Sequence, residues 1–194
     1  LNWVLAYMRG HWDTLEWFSN KKIDFENYFL LGDYTQCHSL LNEIKDKIGV
    51  SLWYYEAKSL LFEYEGKSKD GLTYISEILH ECSNNNNYLL SLLYNLYERC
   101  HKRVSPFKYD EDLNALYKRN RTELHEDYYQ YVLYRLNYYN QYQNTDLSLP
   151  IMFESLSALV DRYLMVVSII KSALIQIPDD TIIRSKGCYL YGKT

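Results

Sequence analysis

The sequence predicts an all-α fold, and three observations carry that prediction. Its 194 residues include only seven glycines and three prolines, Pro106, Pro150 and Pro178, too few for the repeated tight turns of a sandwich or barrel. Long stretches run without either breaker. Within them apolar residues recur at helical spacing, as at Tyr88, Leu89, Leu92, Leu93, Leu96 and Tyr97, the signature of one helix face. With 47% apolar and 24% charged residues, the chain has a globular composition and the length to bury a core in one domain or one solenoid segment.

The first element is read from Leu1, Trp3, Val4, Leu5, Tyr7 and Met8, an apolar helical pattern already under way at the first residue. A chain that starts inside such a pattern reads as a piece of a longer protein. Gly10-His11-Trp12-x-x-Leu15 then hints at a short helical unit. Further on, Gly32 and Gly66 stand 34 residues apart, and aligning them brings Cys37 over Gly71, Leu41 over Ile75, Ile44 over Ile78 and Tyr28 over Phe62. Between these units, Gly49 suits a left-handed helix end and Ser51 suits the cap of the next helix.

Leu30-Leu31-Gly32-Asp33-Tyr34-x-x-Cys37 followed by Leu40, Leu41 and Ile44 resembles the turn and second helix of a tetratricopeptide repeat, whose period is 34 residues. The resemblance implies that Gly32 and Gly66 lie in turns between antiparallel helices, with the small residues Cys37 and Gly71 where helices cross closely. Tyr55 and Ser59 match the large aromatic and small positions of the family's first helix, so the second unit is the better match. The first unit departs from the pattern, with Lys21 at the aromatic position and Phe25 at the small one. After the polar loop Asn84 to Asn87, Cys100 stands where a third turn glycine would fall, and the strict repeat stops.

Beyond Ser105 the pattern predicts helices at 109–119, 122–143 and 149–177, then a tail from Asp179. The middle helix carries Tyr129, Val132, Leu133, Leu136 and Tyr139 as one stripe, with Tyr128, Tyr131, Tyr138 and Tyr142 as another beside it. A helix apolar on two faces belongs between neighbours. The last helix shows the same breadth through Leu156, Leu159, Tyr163, Val166, Val167, Ile170 and Leu174. Its most apolar stretch, Tyr163 to Ile177, contains Lys171 and is too short to span a bilayer. The expected organisation is tetratricopeptide-like hairpins forming a solenoid over residues 1–104, with an irregular helical cap over 105–194, as one continuous domain.

A net charge of −4 argues against a surface built throughout for nucleic acid. A local exception is the run Arg99, Lys102, Arg103, Lys108, Lys118, Arg119 and Arg121 against Asp110, Glu111 and Asp112. There Lys102, Arg103, Lys118 and Arg121 are the candidate phosphate contacts, with Phe107, Tyr109 and Tyr117 as stacking partners. Overlapping it, Arg119-Asn120-x4-His125 resembles the motif of HEPN ribonucleases. That resemblance implies Arg119 as phosphate stabiliser and His125 as acid or base on the ribose hydroxyl, a chemistry suited to a guanidinium and an imidazole. A helix break near Asn120 and Thr122 puts the two on different elements, so the ribonuclease is the runner-up reading.

His80, Cys82, Cys100 and His101 have zinc-ligand types, but their spacing differs from paired knuckles, and no metal site is expected. His11 and His38 have no acid or thiol neighbour in sequence. The acid pairs at 110–112, 126–127 and 179–180 fall at helix starts or in the tail, where they complement the helix dipole. No phosphate-cradling glycine loop, nucleophile elbow or dinucleotide fingerprint occurs, so no cofactor is expected. Four unpaired cysteines in a chain of this size suit a reducing, cytoplasmic setting.

The favoured function is therefore a non-catalytic scaffold that binds a protein or peptide, as an adaptor or sensor segment of a longer chain, with no membrane partner. Among 22 tyrosines and four tryptophans, Trp12, Trp17, Trp53, Tyr54 and Tyr88 are the candidate exposed contacts, because such rings give large contact area at little rotamer cost.

Overall fold

In a computed structural model, residues 2–82, 95–100, 105, 108, 109, 111, 112, 115, 131, 135 and 157–176 are described. All the regular structure among them is helical, with no strand, so the fold is all-α. The main elements are α1 (Asn2–Arg9), α2 (Trp12–Leu31), α3 (Tyr34–Ile48), α4 (Leu52–Tyr64), α5 (Ser68–Cys82) and α6 (Leu159–Gln176). Residues 95–100 are helical as well. The chain divides into two compact units, one made of residues 1–10 and 126–194, the other of residues 11–125.

The second unit is built from hairpins closed by glycine. Gly32 (φ 74°) and Gly66 (φ 76°) both adopt the left-handed conformation that glycine alone enters without cost. Both turns close with the same hydrogen bonds. The amides of Gly32 and Asp33 donate to the carbonyls of Phe29 and Tyr28, and those of Gly66 and Lys67 donate to Glu63 and Phe62. Cys37 to Asp33 is likewise matched by Gly71 to Lys67. The 34-residue period read from the sequence is thus also a period of backbone bonding.

Capping fixes where the intervening helices start. The Asp33 carboxylate accepts from the Gln36 amide at 3.1 Å, and the Ser51 hydroxyl accepts from the Tyr54 amide at 3.1 Å. Each satisfies one of the donors a helix start leaves open. Gly49 ends α3 with a positive φ of 82°.

Buried positions follow helical spacing: Cys37, Leu40, Leu41 and Ile44 on α3; Tyr54, Ala57 and Leu61 on α4; Gly71, Ile75 and Ile78 on α5. These faces meet in sequence, α2 against α3, α3 against α4 and α4 against α5. Phe25, Cys37, Leu40, Leu41, Tyr54, Ala57 and Leu61 form one core cluster. Cys37 at its centre is fully buried, and its thiol points to the Phe25 carbonyl at 3.7 Å. At Gly71 an added Cβ would stand 3.1 Å from the Phe62 Cβ and 3.3 Å from the Tyr97 ring. Both small positions are thus closely surrounded.

Residues 95–100 extend this unit through polar anchors. Arg99 is ion-paired with Glu56, and the Tyr97 hydroxyl donates to the Ser68 carbonyl at 3.3 Å. Tyr109 donates to the Asn95 carbonyl at 3.1 Å. The predicted 109–119 helix begins earlier than expected: Lys108 is already helical, and the Ser105 hydroxyl accepts its amide.

The first unit places buried Val4, Leu5 and Met8 on α1 and buried Val160, Met165, Val166, Val167, Ile169 and Ile170 on α6. Arg162 lies 5.1 Å over the Tyr7 ring. Arg135 pairs with the buried Asp161 at 3.5 Å, and Tyr131 on the same predicted helix is buried. The expected 149–177 helix is not continuous: Ser157 and Ala158 are non-helical and α6 starts at Leu159. At that start the Ala158 carbonyl takes the amides of Asp161 and Arg162 while the Ser157 carbonyl takes the Arg162 side chain. Val132 and Leu136 lie outside the described residues.

Candidate functional site

Helix α4 carries a half-buried stripe, Tyr55, Lys58, Phe62 and Glu65, at spacings of three, four and three residues. Those spacings keep all four side chains on one side of the helix and its C-cap. Three aromatic and apolar-stemmed positions and one acid on a stripe bordering the core make a surface that is apolar in its floor and charged at one end.

Its neighbours extend it across three helices. From α5, the Tyr74 ring lies 6.3 Å from Tyr55 and 5.7 Å from Phe62, both tilted. The Lys58 ammonium stands 5.4 Å over Phe62. From α3, His38 accepts at Nδ1 from Lys58, 3.3 Å away, and at Nε2 meets Glu65 Oε2 at 3.0 Å. Since an ammonium can only donate, these contacts fit the neutral imidazole with its proton on Nε2, donated to Glu65. Lys67 reaches the same carboxylate oxygen at 3.4 Å.

The electrostatics follow from this crowding. Burial pushes the Glu65 carboxyl up, but the hydrogen bonds from His38 and Lys67 and the positive charge beside it hold it below the usual range. Burial lowers the Lys58 ammonium, and Lys45 and Lys67 lower it further against the opposing pull of Glu65. Tyr74 is pushed well up by burial and then by Tyr54 and Tyr55. The arrangement can hold an anion against its lysine donors and an apolar group against three rings.

The residues singled out from sequence fall partly elsewhere. Tyr54 is buried in the core cluster, 5% exposed, so it is no surface contact. Its two ring neighbours in sequence point about 100° to either side and are half-buried: Tyr55 in the stripe, and Trp53 edge-on to Phe18 at 5.1 Å and Phe25 at 5.6 Å. Trp17 is half-buried with Lys47 seated 4.0 Å over its ring, and Trp12 is half-buried at the start of α2. Tyr88 lies outside the described residues.

Of the basic cluster, Arg99 is 9% exposed at its side chain and committed to Glu56, and Lys108 pairs with Asp112 at 2.8 Å. Lys102, Arg103, Lys118, Arg119, Arg121 and His125 lie outside the described residues, as do the side chain of Cys82 and all of His101. Among the described residues no group of His, Cys, Asp and Glu could hold a metal ion. Cys37 and Cys100 are free thiols, each pushed up to about 11, first by burial. No helix among the described residues is long and apolar enough to cross a membrane.

From sequence His38 has no acid neighbour and reads as an ordinary residue, and Lys58 and Glu65, taken singly, carry no signal of their own. His38 and Glu65 are 27 residues apart, and only the α3–α4 packing makes them partners. One local signal was present: a lysine and a glutamate on an otherwise aromatic stripe of α4. No protein-family model, curated protein or solved structure matches the chain.

Proposed function

We propose that this chain is a non-catalytic, tetratricopeptide-like scaffold that binds a protein or peptide partner, as the adaptor or sensor segment of a longer cytoplasmic protein. The observation that carries the reading is the unbroken run of half-buried rings and ionisable groups from His38 on α3 through Tyr55, Lys58 and Phe62 on α4 to Tyr74 on α5. Rings of this kind supply contact area for little lost rotamer freedom, and charged groups beside them set orientation. The matched turns at Gly32 and Gly66 support stacked hairpins, an architecture whose shared surfaces serve as binding faces. Fold alone names no ligand.

A random dodecapeptide library panned against the purified chain tests this. Enrichment of a recurring sequence whose binding falls at least about tenfold in Tyr55→Ala, with the unfolding transition retained, is the expected result. Absence of any enriched sequence sinks the proposal. Cleavage of single-stranded RNA that disappears in Arg119→Ala and His125→Ala would replace it with a ribonuclease.

A further inference from the structure

His38 and Lys67 hold the Glu65 carboxylate at one end of the stripe, and Lys58 sits on the far nitrogen of the same imidazole. Glu65 Oε2 is shared by His38 at 3.0 Å and Lys67 at 3.4 Å. Lys58 is hydrogen-bonded not to the carboxylate but to His38 Nδ1. Two ammonium groups thus stand about one acid, and this end of the stripe is open to solvent: the Lys67 side chain is 51% exposed and that of His38 29%. A partly desolvated ammonium with no carboxylate of its own gains more from an incoming anion than a fully hydrated one does.

We propose that Lys58 and Lys67, linked through the His38–Glu65 pair, form an anion subsite for an aspartate or glutamate side chain of a docked peptide, the rings of Tyr55, Phe62 and Tyr74 taking the apolar residue next to it. The inference rests on the docking reading above and adds the chemistry of the partner. The entering carboxylate accepts from Lys58 and Lys67, supplying the second negative charge that Glu65 alone does not. An acidic peptide is favoured over nucleic acid because the patch is small and the chain as a whole carries −4, which repels a long polyanion.

The test uses the full chain and peptides enriched from the dodecapeptide library, synthesised with a fluorescein label, each beside a copy with Asp and Glu replaced by Asn and Gln. Oligouridylate of similar length is the comparison probe. The expected result is an acidic residue beside an aromatic or aliphatic one in the enriched set, with affinity lost by about tenfold or more, worth one unpaired charged contact, both in the amide copies and in Lys67→Glu. Lys67 is exposed, so that variant retains its unfolding transition, and Lys58→Gln provides a second reading. Enriched peptides without acids, or binding indifferent to the amide copies and to Lys67→Glu, overturn the subsite and leave the docking surface standing. Oligouridylate bound more tightly than any peptide, and released by Lys67→Glu, overturns it in favour of nucleic acid. A library that enriches nothing overturns the docking reading and the subsite with it.

Discussion

Gly71 and Glu65 are the residues on which the local account is most exposed to test. A leucine at 71 must enter space where a bare Cβ already stands 3.1 Å from Phe62, so Gly71→Leu should cost about 1–3 kcal/mol in chemical denaturation. Gly71→Ala should stay within about 1 kcal/mol of the parent, because alanine's helix propensity offsets the crowding. The Glu65 carboxyl is held below its usual range in the folded chain. Its contribution is therefore fully present above the unfolded glutamate value of about 4.3 and is lost as pH falls through the lower folded value. The gap in melting temperature between parent and Glu65→Gln should be widest near neutrality and close in acid. A gap that stays constant down to pH 3 would show that His38 and Lys67 do not stabilise this carboxylate.

At the scale of the element, boundaries were legible wherever a side chain or a glycine sets them. Ser51 reads as a cap in the sequence and caps α4 in space, and Asp33 caps α3 in the same way. Removing the Ser51 hydroxyl should cost about 1 kcal/mol, read as a lowered unfolding midpoint in Ser51→Ala, and no change would mean that the Tyr54 amide finds another acceptor. The start of α6 was not legible, because Ala158 caps with its carbonyl and any residue has one. Faces were legible only as stripes. The run Trp53-Tyr54-Tyr55 offers three similar rings, and nothing local to the sequence says that Tyr54 turns inward. His38, Lys58 and Glu65 belong to a pairing set by how α3 meets α4, which no spacing within one helix encodes.

For the molecule as a whole, the 34-residue period is the feature that sequence and structure share most fully, from Gly32 and Gly66 to the matched bonds of Cys37 and Gly71. It stops where glycine stops: Cys100, in the place of a third turn residue, is helical and buried. The docking surface proposed above spans both hairpins, so a bound segment should order residues of α3, α4 and α5 together. Hydrogen exchange of the full chain, with and without a saturating enriched peptide, measures this most directly. The account predicts added protection in peptides covering Tyr34 to Lys45 and Tyr55 to Tyr74, with none at Leu159 to Lys171. Protection confined to Leu159 to Lys171, with α3 to α5 unchanged, would contradict it.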